Sequence, residues 1–156
     1  MNITIRRARS DEVDILTDLS MRAKRSNGYD DAFMEACRAE LTVTATRMRE
    51  GEYWVADSGF VCGCVCLART RDAYGEVHAF FIDPECQRQG VGRTLWLNVV
   101  ERARVLGIGT LCLDADPAAV PFYQAMGFVE IGKVPSGSIK GRMLPRMECQ
   151  LEHNAR

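Results

Sequence analysis

The sequence predicts an α/β fold with a central mixed, mostly antiparallel sheet that is covered by helices on both faces. Short apolar segments with the two-residue period of strands alternate with longer segments of helical period. In chain order they give βααβββαβαββ, in which hairpin signals join some strands and helices separate others. A length of 156 residues suits one core, so residues 1–156 are expected to form a single domain.

The N-terminal half is predicted to hold a strand, two helices and a hairpin. Ser10 is a candidate cap for the first helix, whose apolar positions stop near residues 26–28. A second helix is expected to begin at Asp30 or Asp31. The Ser-Gly pair at 58–59 is a hairpin signal. The predicted strands are Thr4 to Arg9, Tyr53 to Asp57 and Phe60 to Thr70.

The C-terminal half is predicted to alternate strands and helices. A turn near residues 72–75 leads to a long apolar strand, Glu76 to Ile82. The helix from Val91 to Leu106 is expected to end at Gly107, because glycine suits the left-handed conformation of a helix stop. The remaining predicted elements are a strand at Thr110 to Ala115, a short helix at Ala118 to Met126, and strands at Phe128 to Val134 and Arg142 to Leu151.

Composition and charge exclude several classes of function. Hydrophobic residues make up 47% and charged residues 26%, as in a globular protein. The net charge of −1, from 20 basic and 21 acidic residues, leaves no positive field for binding a nucleic-acid backbone. The N-terminus has no apolar signal region, and no apolar run approaches the roughly 20 residues of a membrane span. We therefore expect no nucleic-acid or membrane partner and a cytoplasmic location.

The cysteines are expected to be reduced core residues. Their number is odd, and most lie inside apolar segments, at positions 37, 62, 64, 66, 86, 112 and 149. The C-x-C-x-C spacing of 62–66 predicts three thiols on one face of a strand. No metal site is expected, because zinc needs ligands from more than one element and the histidines are His78 and His153 alone. Cys86 lies in a predicted loop, where its thiol is open to reaction.

The segment Gln87 to Thr94 is the first candidate binding site. A strand ends before it, the chain turns, and a helix opens with glycines at alternate positions. Such a helix start offers unpaired N–H groups and a positive dipole to a phosphate or pyrophosphate, and Arg88 and Arg93 can add charge. It is neither a Walker A loop nor the dinucleotide fingerprint, whose third glycine is replaced by Leu95. On these residues alone, ligand binding and an ordinary tight turn both remain open.

Two motifs resemble the GNAT superfamily of N-acetyltransferases. Residues 81–95 are similar to its motif A, with the Q/R-x-x-G-x-G/A core, and residues 119–128 resemble its motif B, A-x-x-F-Y-x-x-x-G-F. Asp116 and Arg88 depart from the family, which often has asparagine and glycine there. The resemblance implies a GNAT-like fold, acetyl-CoA as cosubstrate and no metal. The cofactor-binding residues that it implies are Phe81, Ile82, Gln87, Arg88, Gln89, Gly90, Val91, Gly92, Arg93, Thr94, Asp116 and Phe122.

The resemblance also implies direct transfer of the acetyl group to a primary amine in a ternary complex. Such a transfer needs a base, an oxyanion donor and an acid. Glu76 is the first candidate base and His78 the second, on the same strand face, with a water chain as a further route. The N–H of Phe80 is the implied oxyanion donor, and Tyr123 the implied acid. The plainer alternatives are a solvated carboxylate for Glu76 and a packing role for Tyr123.

The acceptor is a small-molecule or peptide amine that the sequence leaves unidentified. In this family two loops border the acceptor site, and the residues here that can contact an acceptor are Tyr29, Asp30, Ser136 and Ser138. Residues of these types are also common in loops that bind nothing. Two other functions stay open. One is a catalytically silent acyl-CoA sensor or partner-binding module, and the other is a different enzyme that shares only the phosphate-binding turn. An exposed strand edge would permit a homodimer.

Overall fold

Seven strands form one open mixed sheet in the computed structural model, which describes residues 2–151. The strand order across the sheet is β1-β2-β3-β4-β5-β7-β6. All neighbouring strands are antiparallel except β4 and β5, which are parallel. The strands are β1 (Thr4–Arg7), β2 (Glu52–Asp57), β3 (Val61–Arg71), β4 (Tyr74–Ile82), β5 (Thr110–Asp114), β6 (Val129–Pro135) and β7 (Met143–Gln150). The predicted mixed, mostly antiparallel sheet is confirmed.

Helices cover both faces of the sheet, as the sequence predicts. They are α1 (Val13–Arg25), α2 (Asp31–Leu41), α3 (Ala45–Glu50), α4 (Val91–Leu106) and α5 (Val120–Ala125). On one face, Leu16 and Leu19 of α1 pack against β2 and β3, and on the other Leu95 and Val99 of α4 fill the larger core. No helix in the described range is both long and apolar enough to cross a membrane.

Helix α3 is absent from the predicted order. It has six residues and none of them is buried, so no apolar period marks it in the sequence. Its one local signal is Thr44, whose hydroxyl accepts a hydrogen bond from the Arg47 amide at 3.1 Å. The helix lies beside β2, where its C-terminal residue Glu50 reaches the cleft described below.

The start of α1 also differs from the prediction. Ser10 lies in a short 3-10 turn, Ser10–Glu12, and does not cap α1. The buried carboxylate of Glu12 instead accepts the Arg9 amide at 2.7 Å and two hydrogen bonds from the Arg6 guanidinium. Glu12 is the third residue of this turn, and its carboxylate reaches back to the amide of Arg9, which precedes the turn, as the glutamate of a capping box does. By contrast, Asp30 caps α2 as expected, because its carboxylate accepts from the Phe33 amide.

The predicted alignment of three thiols on β3 is wrong. Ala56 pairs with Gly63, and Asp57 pairs with Val61, so Cys62 is the extra residue of a β-bulge. A bulge reverses the alternation of faces, and Cys62 therefore packs with α4 while Cys64 and Cys66 pack with α1.

All seven cysteines are free and buried. Cys86 lies in a short 3-10 turn, Pro84–Cys86, as a loop residue would. Its thiol is nevertheless covered, and burial raises its pKa to about 11. Because the thiolate is the reactive form, the raised pKa makes Cys86 less reactive at neutral pH than an exposed loop cysteine.

Candidate active site

The parallel strands β4 and β5 diverge along their length and open a cleft. They pair at Tyr74 with Thr110 and at Glu76 with Cys112, and beyond Glu76 no further pairs join them. The backbone of β4 from 77 to 82 therefore faces a gap on that side, while β3 covers its other edge. The gap is part of a cavity of ≈ 1080 Å³. An exposed strand edge of this kind can bind an extended ligand that carries amide groups.

A bulge in β4 shapes the middle of the cleft. Cys64 pairs with Phe81 and Cys66 with His78, so both Ala79 and Phe80 lie opposite the single residue between the two cysteines. Ala79 has a φ of 50°, which an alanine rarely adopts. After the bulge the ring of Phe80 turns toward α4 and meets Phe122 edge-on at 5.3 Å. Glu76 and His78 both line the cavity, as their predicted common face requires.

The turn before α4 is a cradle of backbone amides. Among the described residues, none accepts a hydrogen bond from the N–H groups of 87–93, and the first amide with a partner is that of Thr94, which donates to the Gly90 carbonyl. Arg88 and Gly90 hold this turn with φ values of 64° and 79°. Seven consecutive free amides at a helix start are a site for a phosphate or pyrophosphate.

Two positions of the cradle show why small residues are favoured there. Arg88 occupies the left-handed region, which costs a side chain roughly 1–2 kcal/mol, and this explains the glycine that the family often has. At Gly92, a Cβ would lie 2.8 Å from two ring carbons of Phe122. Because residue 92 has no Cβ, the Phe122 ring can lie against the turn, and the free amides of 87–93 remain available to an anion such as a pyrophosphate.

Most of the predicted cofactor-binding residues line the same cavity. Gln89 and Thr94 do not line it, and the Thr94 hydroxyl donates instead to the Gly90 carbonyl at 2.8 Å. The residues that the cavity brings together are Phe81, Ile82, Gln87, Arg88, Gly90, Val91, Gly92, Arg93, Asp116 and Phe122.

Glu76 is held by an ion pair inside the cleft. Its two carboxylate oxygens accept from the two terminal nitrogens of Arg146, one at 2.9 Å and the other at shorter range. Arg146 also donates to Asp114 at 3.0 Å, and these contacts hold the pKa of the Arg146 guanidinium above its usual value, against the effect of burial. Arg146 was not among the predicted site residues, and it lies 70 residues from Glu76.

Tyr123 is a buried residue of the cavity wall. The side chain is 8% exposed and packs edge-on to Phe80 and Phe128, with ring centroids 6.2 and 5.7 Å apart. Among residues 2–151, no hydrogen-bond partner of the hydroxyl is found, and the residue lines the cavity. Burial, and then the charge of Asp116, raise the pKa of Tyr123, so the phenol stays protonated at neutral pH.

Asp116 is the centre of a polar cluster at the wall of the cleft. It accepts from the Lys24 ammonium at 3.0 Å, from the Tyr29 hydroxyl at 2.8 Å and from the Ala118 amide at 2.9 Å. Burial alone would raise the pKa of Asp116, but these contacts, that of Lys24 foremost, bring it below the usual value. Arg142 donates to the Tyr29 hydroxyl at 2.7 Å. Neither Lys24 nor Arg142 was among the predicted site residues.

The predicted acceptor residues lie beside the cavity and do not line it. The Ser136 hydroxyl accepts from the amides of Ser138 and Ile139, and the Ser138 hydroxyl donates to Glu40. Together with the cap at Asp30, these contacts give the loops local structure. Neighbouring residues do reach the cavity, at Asn27, Pro135 and Gly137.

Further residues that line the cavity were not among the predicted site residues. Helices α2 and α3 contribute Glu40, Arg47 and Glu50, and β2 contributes the buried Tyr53. The Arg47 guanidinium donates to the carbonyls of Glu40 and Thr42, so it closes the end of α2.

Comparisons with known proteins agree with this geometry. The acetyltransferase (GNAT) domain profile matches residues 18–151. The peptidyl-lysine N-acetyltransferase YjaB of Salmonella typhimurium is 34% identical over 139 residues, which cover 85% of this chain and 88% of that protein.

Two solved structures share the fold. The PaiA N-acetyltransferase of Thermoplasma acidophilum, in complex with coenzyme A, gives a TM-score of 0.79 at 17% identity, over 96% of this chain and 99% of the other. The protein yncA of Salmonella typhimurium, with acetyl-CoA, gives a TM-score of 0.68 at 20% identity, over 100% and 98% of the two chains. The fold and the family that the sequence motifs predicted are both confirmed. The chain belongs to the GNAT acetyltransferase family and is an acyltransferase.

Proposed function

We propose that this enzyme transfers an acetyl group from acetyl-CoA directly to a primary amine, with both substrates bound together in the cleft. The observation that carries the proposal is the joining of the amide cradle of 87–93, the open edge of β4 and the Tyr123 hydroxyl in one cavity. Glu76, His78 and residues of α2 and α3 line the same cavity. An acyl donor and an acceptor can therefore meet at its middle.

The cofactor-binding role belongs to the cradle and the strand edge. The free amides of 87–93 would hold the pyrophosphate, with Arg88 and Arg93 adding positive charge. The edge of β4 near Phe81 and Ile82 would bind the amide-bearing arm as an added strand. Acetyl-CoA supplies a thioester, whose carbonyl carbon accepts a nucleophile and whose sulfur leaves as a thiolate.

Tyr123 is the proposed general acid. The new C–N bond forms as the amine attacks, and the C–S bond then breaks with its electron pair on sulfur. The phenol donates its proton to that thiolate, because its raised pKa keeps it protonated and no protein group competes for its hydroxyl within the described residues. The amide of Phe80, in the bulge, is the proposed donor to the oxyanion that forms between these two bond changes.

The amine must lose its proton before it attacks, since an alkyl ammonium has a pKa near about 10. Glu76 remains the proposed base, and its ion pair with Arg146 favours a route through water over direct contact. His78 is exposed and lines the same wall, which makes it the alternative base. Either group would receive the proton on the acceptor side of the cleft.

A peptide or protein lysine is the acceptor class that we propose to test first. One relative, which matches 85% of this chain, is a peptidyl-lysine N-acetyltransferase. In the cavity, α2 and α3 contribute the carboxylates of Glu40 and Glu50 and the guanidinium of Arg47, so negative charge is in excess among the charged residues from these two helices. Negative charge there would attract an ammonium group.

Thermal melts with acetyl-CoA, desulfo-CoA and ATP test the cofactor proposal. A ligand at 100 times its Kd stabilises a protein by about 2.7 kcal/mol, which moves the midpoint by several degrees. Both coenzyme analogues are expected to raise the midpoint, and ATP is not. Release of free thiol in the presence of a lysine peptide then separates an enzyme from a silent acyl-CoA sensor, which would show the same melts without release.

We further propose that the protein is cytoplasmic. We also predict that two copies can form a homodimer. The seven free, buried thiols suit a reducing compartment. Strand β6 ends the sheet order and carries the exposed side chains of Val129 and Ile131, so a second copy could pair there. Sedimentation equilibrium would decide the oligomeric state.

A further inference from the structure

Asp116 connects three segments that are distant in the sequence. Lys24 lies at the end of α1, Tyr29 in the α1–α2 connection, and Arg142 just before β7, with a nitrogen 3.8 Å from the Asp116 carboxylate. The side chains of Lys24, Asp116 and Arg142 are 14–19% exposed, so water competes weakly for these contacts. We call these four residues the Asp116 cluster.

Aromatic contacts reinforce the cluster. The rings of Tyr29 and Phe33 stack with centroids 4.0 Å apart and planes at 15°. The Arg142 guanidinium lies 5.2 and 4.9 Å from these two centroids, and the Lys24 ammonium lies 5.5 and 5.9 Å from them. Two cations therefore hold one aromatic pair, and the α1–α2 connection is fixed through side chains as well as by the cap at Asp30.

Three donor groups of this protein already bind the carboxylate of Asp116. One oxygen accepts from Tyr29 and the Ala118 amide, and the other from Lys24. A carboxylate has no proton to donate at neutral pH, so it cannot repeat the donor role that an asparagine has. Its contacts point toward loops beside the acceptor end of the cavity, where Lys24 and Asn27 form part of the wall.

We propose that Asp116 is a positioning residue that fixes the α1–α2 connection and the β6–β7 hairpin as one wall of the acceptor site. This inference rests on the proposed acetyl transfer, and it assigns Asp116 to acceptor recognition in place of the cofactor contact predicted from the sequence. Loss of its charge frees the wall and weakens acceptor binding. The affinity for acetyl-CoA, which is set by the cradle, stays the same.

The test compares two Michaelis constants in the variant Asp116→Asn, with a lysine peptide blocked at its N-terminus as the acceptor probe. Loss of charge-assisted hydrogen bonds is expected to raise the KM for the peptide about tenfold, while the KM for acetyl-CoA stays within about twofold. Lys24→Met is expected to act in the same direction. In the double variant, the KM for the peptide should rise by less than the product of the two single-variant increases, because both substitutions remove the same contact between Lys24 and Asp116.

The control is Arg102→Met, which breaks another ion pair, to Glu52, with contacts of 2.7 and 2.9 Å. Arg102 lies on α4 outside the cavity, so its loss should lower thermal stability and leave both KM values unchanged. A rise in the acetyl-CoA KM of Asp116→Asn, with the peptide KM unchanged, would overturn the proposal and return Asp116 to cofactor binding.

Hydrogen exchange gives a second reading that needs no turnover. In Asp116→Asn, the amides of residues 26–31 are expected to exchange at least about tenfold faster, since local opening of the connection becomes easier. Arg102→Met should leave them unchanged. If the wild type releases no thiol with the probe, the proposed function fails, and exchange alone decides whether Asp116 fixes this wall. Unchanged exchange then overturns the inference.

Discussion

The carboxylate of Glu76 and the guanidinium of Arg146 form a two-point ion pair at the base of the cleft. If Glu76 receives the proton of the amine, directly or through water, Glu76→Gln should lower kcat about a hundredfold at neutral pH. The loss should shrink as the pH approaches about 10, where a growing fraction of the amine is already neutral. Rates of thiol release from pH 6 to 10 measure this.

Asp114→Asn is the matched control for Glu76, because Asp114 binds the same arginine at 3.0 Å. Its loss should leave the pH profile close to that of the wild type. A rate for Glu76→Gln equal to the wild-type rate would remove Glu76 as the base. His78→Gln would then be the variant expected to show the pH-dependent loss.

Tyr123→Phe should lower kcat by about a hundredfold, because it removes the proton donor for the thiolate. The ring packing against Phe80 and Phe128 is kept, and the hydroxyl leaves no partner unpaired among the described residues. Calorimetric affinity for acetyl-CoA should therefore be unchanged. Tyr74→Phe, on an exposed tyrosine outside the cavity, is the control. Normal turnover in Tyr123→Phe would reduce Tyr123 to a packing role.

The buried carboxylate of Glu12 should make the free energy of unfolding depend on pH, independently of catalysis. Hydrogen bonds from Arg6 lower the pKa of Glu12 from 4.5 to about 2, against the effect of its burial. A carboxyl whose pKa falls on folding stabilises the protein above its unfolded pKa and loses that effect as the pH drops through the folded one. The contribution, of order 2 to 3 kcal/mol, should disappear between about pH 4.5 and pH 2.

Urea unfolding of wild type and Glu12→Gln at several pH values checks this. The variant should be less stable at pH 7, and the difference should narrow below about pH 4. Asp11→Asn, on a side chain that is 79% exposed, should follow the wild type at every pH. A constant difference between wild type and Glu12→Gln would show that the ion pair with Arg6 does not titrate in this range.

The parts of the fold that depend on residues close together in the sequence could be predicted from the sequence. The cradle is a local turn whose glycines stand together, and α4 ends at Gly107 in the left-handed conformation that glycine favours. Helix α3 could not be predicted in this way, because it buries no side chain and so leaves no apolar period. The β-bulge at Cys62 could not be predicted either, because it depends on how β3 pairs with β2.

The charges of the site depend on residues far apart in the chain. Lys24 and Asp116 are separated by 92 residues, and Glu76 and Arg146 by 70. No spacing rule connects such residues, so the sequence could suggest Glu76 as a base without showing the arginine that holds it. Asp116 likewise looked like a variant of a cofactor contact, whereas its partners belong to the loops around the acceptor end.

Gly92→Ala should weaken acetyl-CoA binding through a single methyl group. The added Cβ would lie 2.8 Å from the ring of Phe122, which is confined by the edge contact with Phe80 at 5.3 Å. The Phe122 ring must therefore move away from residue 92, and this movement changes the shape of the turn or of the cleft. Overpacking of this kind costs about 1–3 kcal/mol, so the Kd for acetyl-CoA should rise about tenfold or more if the strain falls on the bound state.

Gly109→Ala is the control for this change. Its Cβ would meet no atom within 4 Å, its backbone is outside the left-handed region, and it does not line the cavity. Calorimetric titration of both variants with acetyl-CoA should show weaker binding for Gly92→Ala alone. Equal affinities for the two variants would mean that Phe122 moves aside freely, and that the glycine at 92 does not shape the cradle.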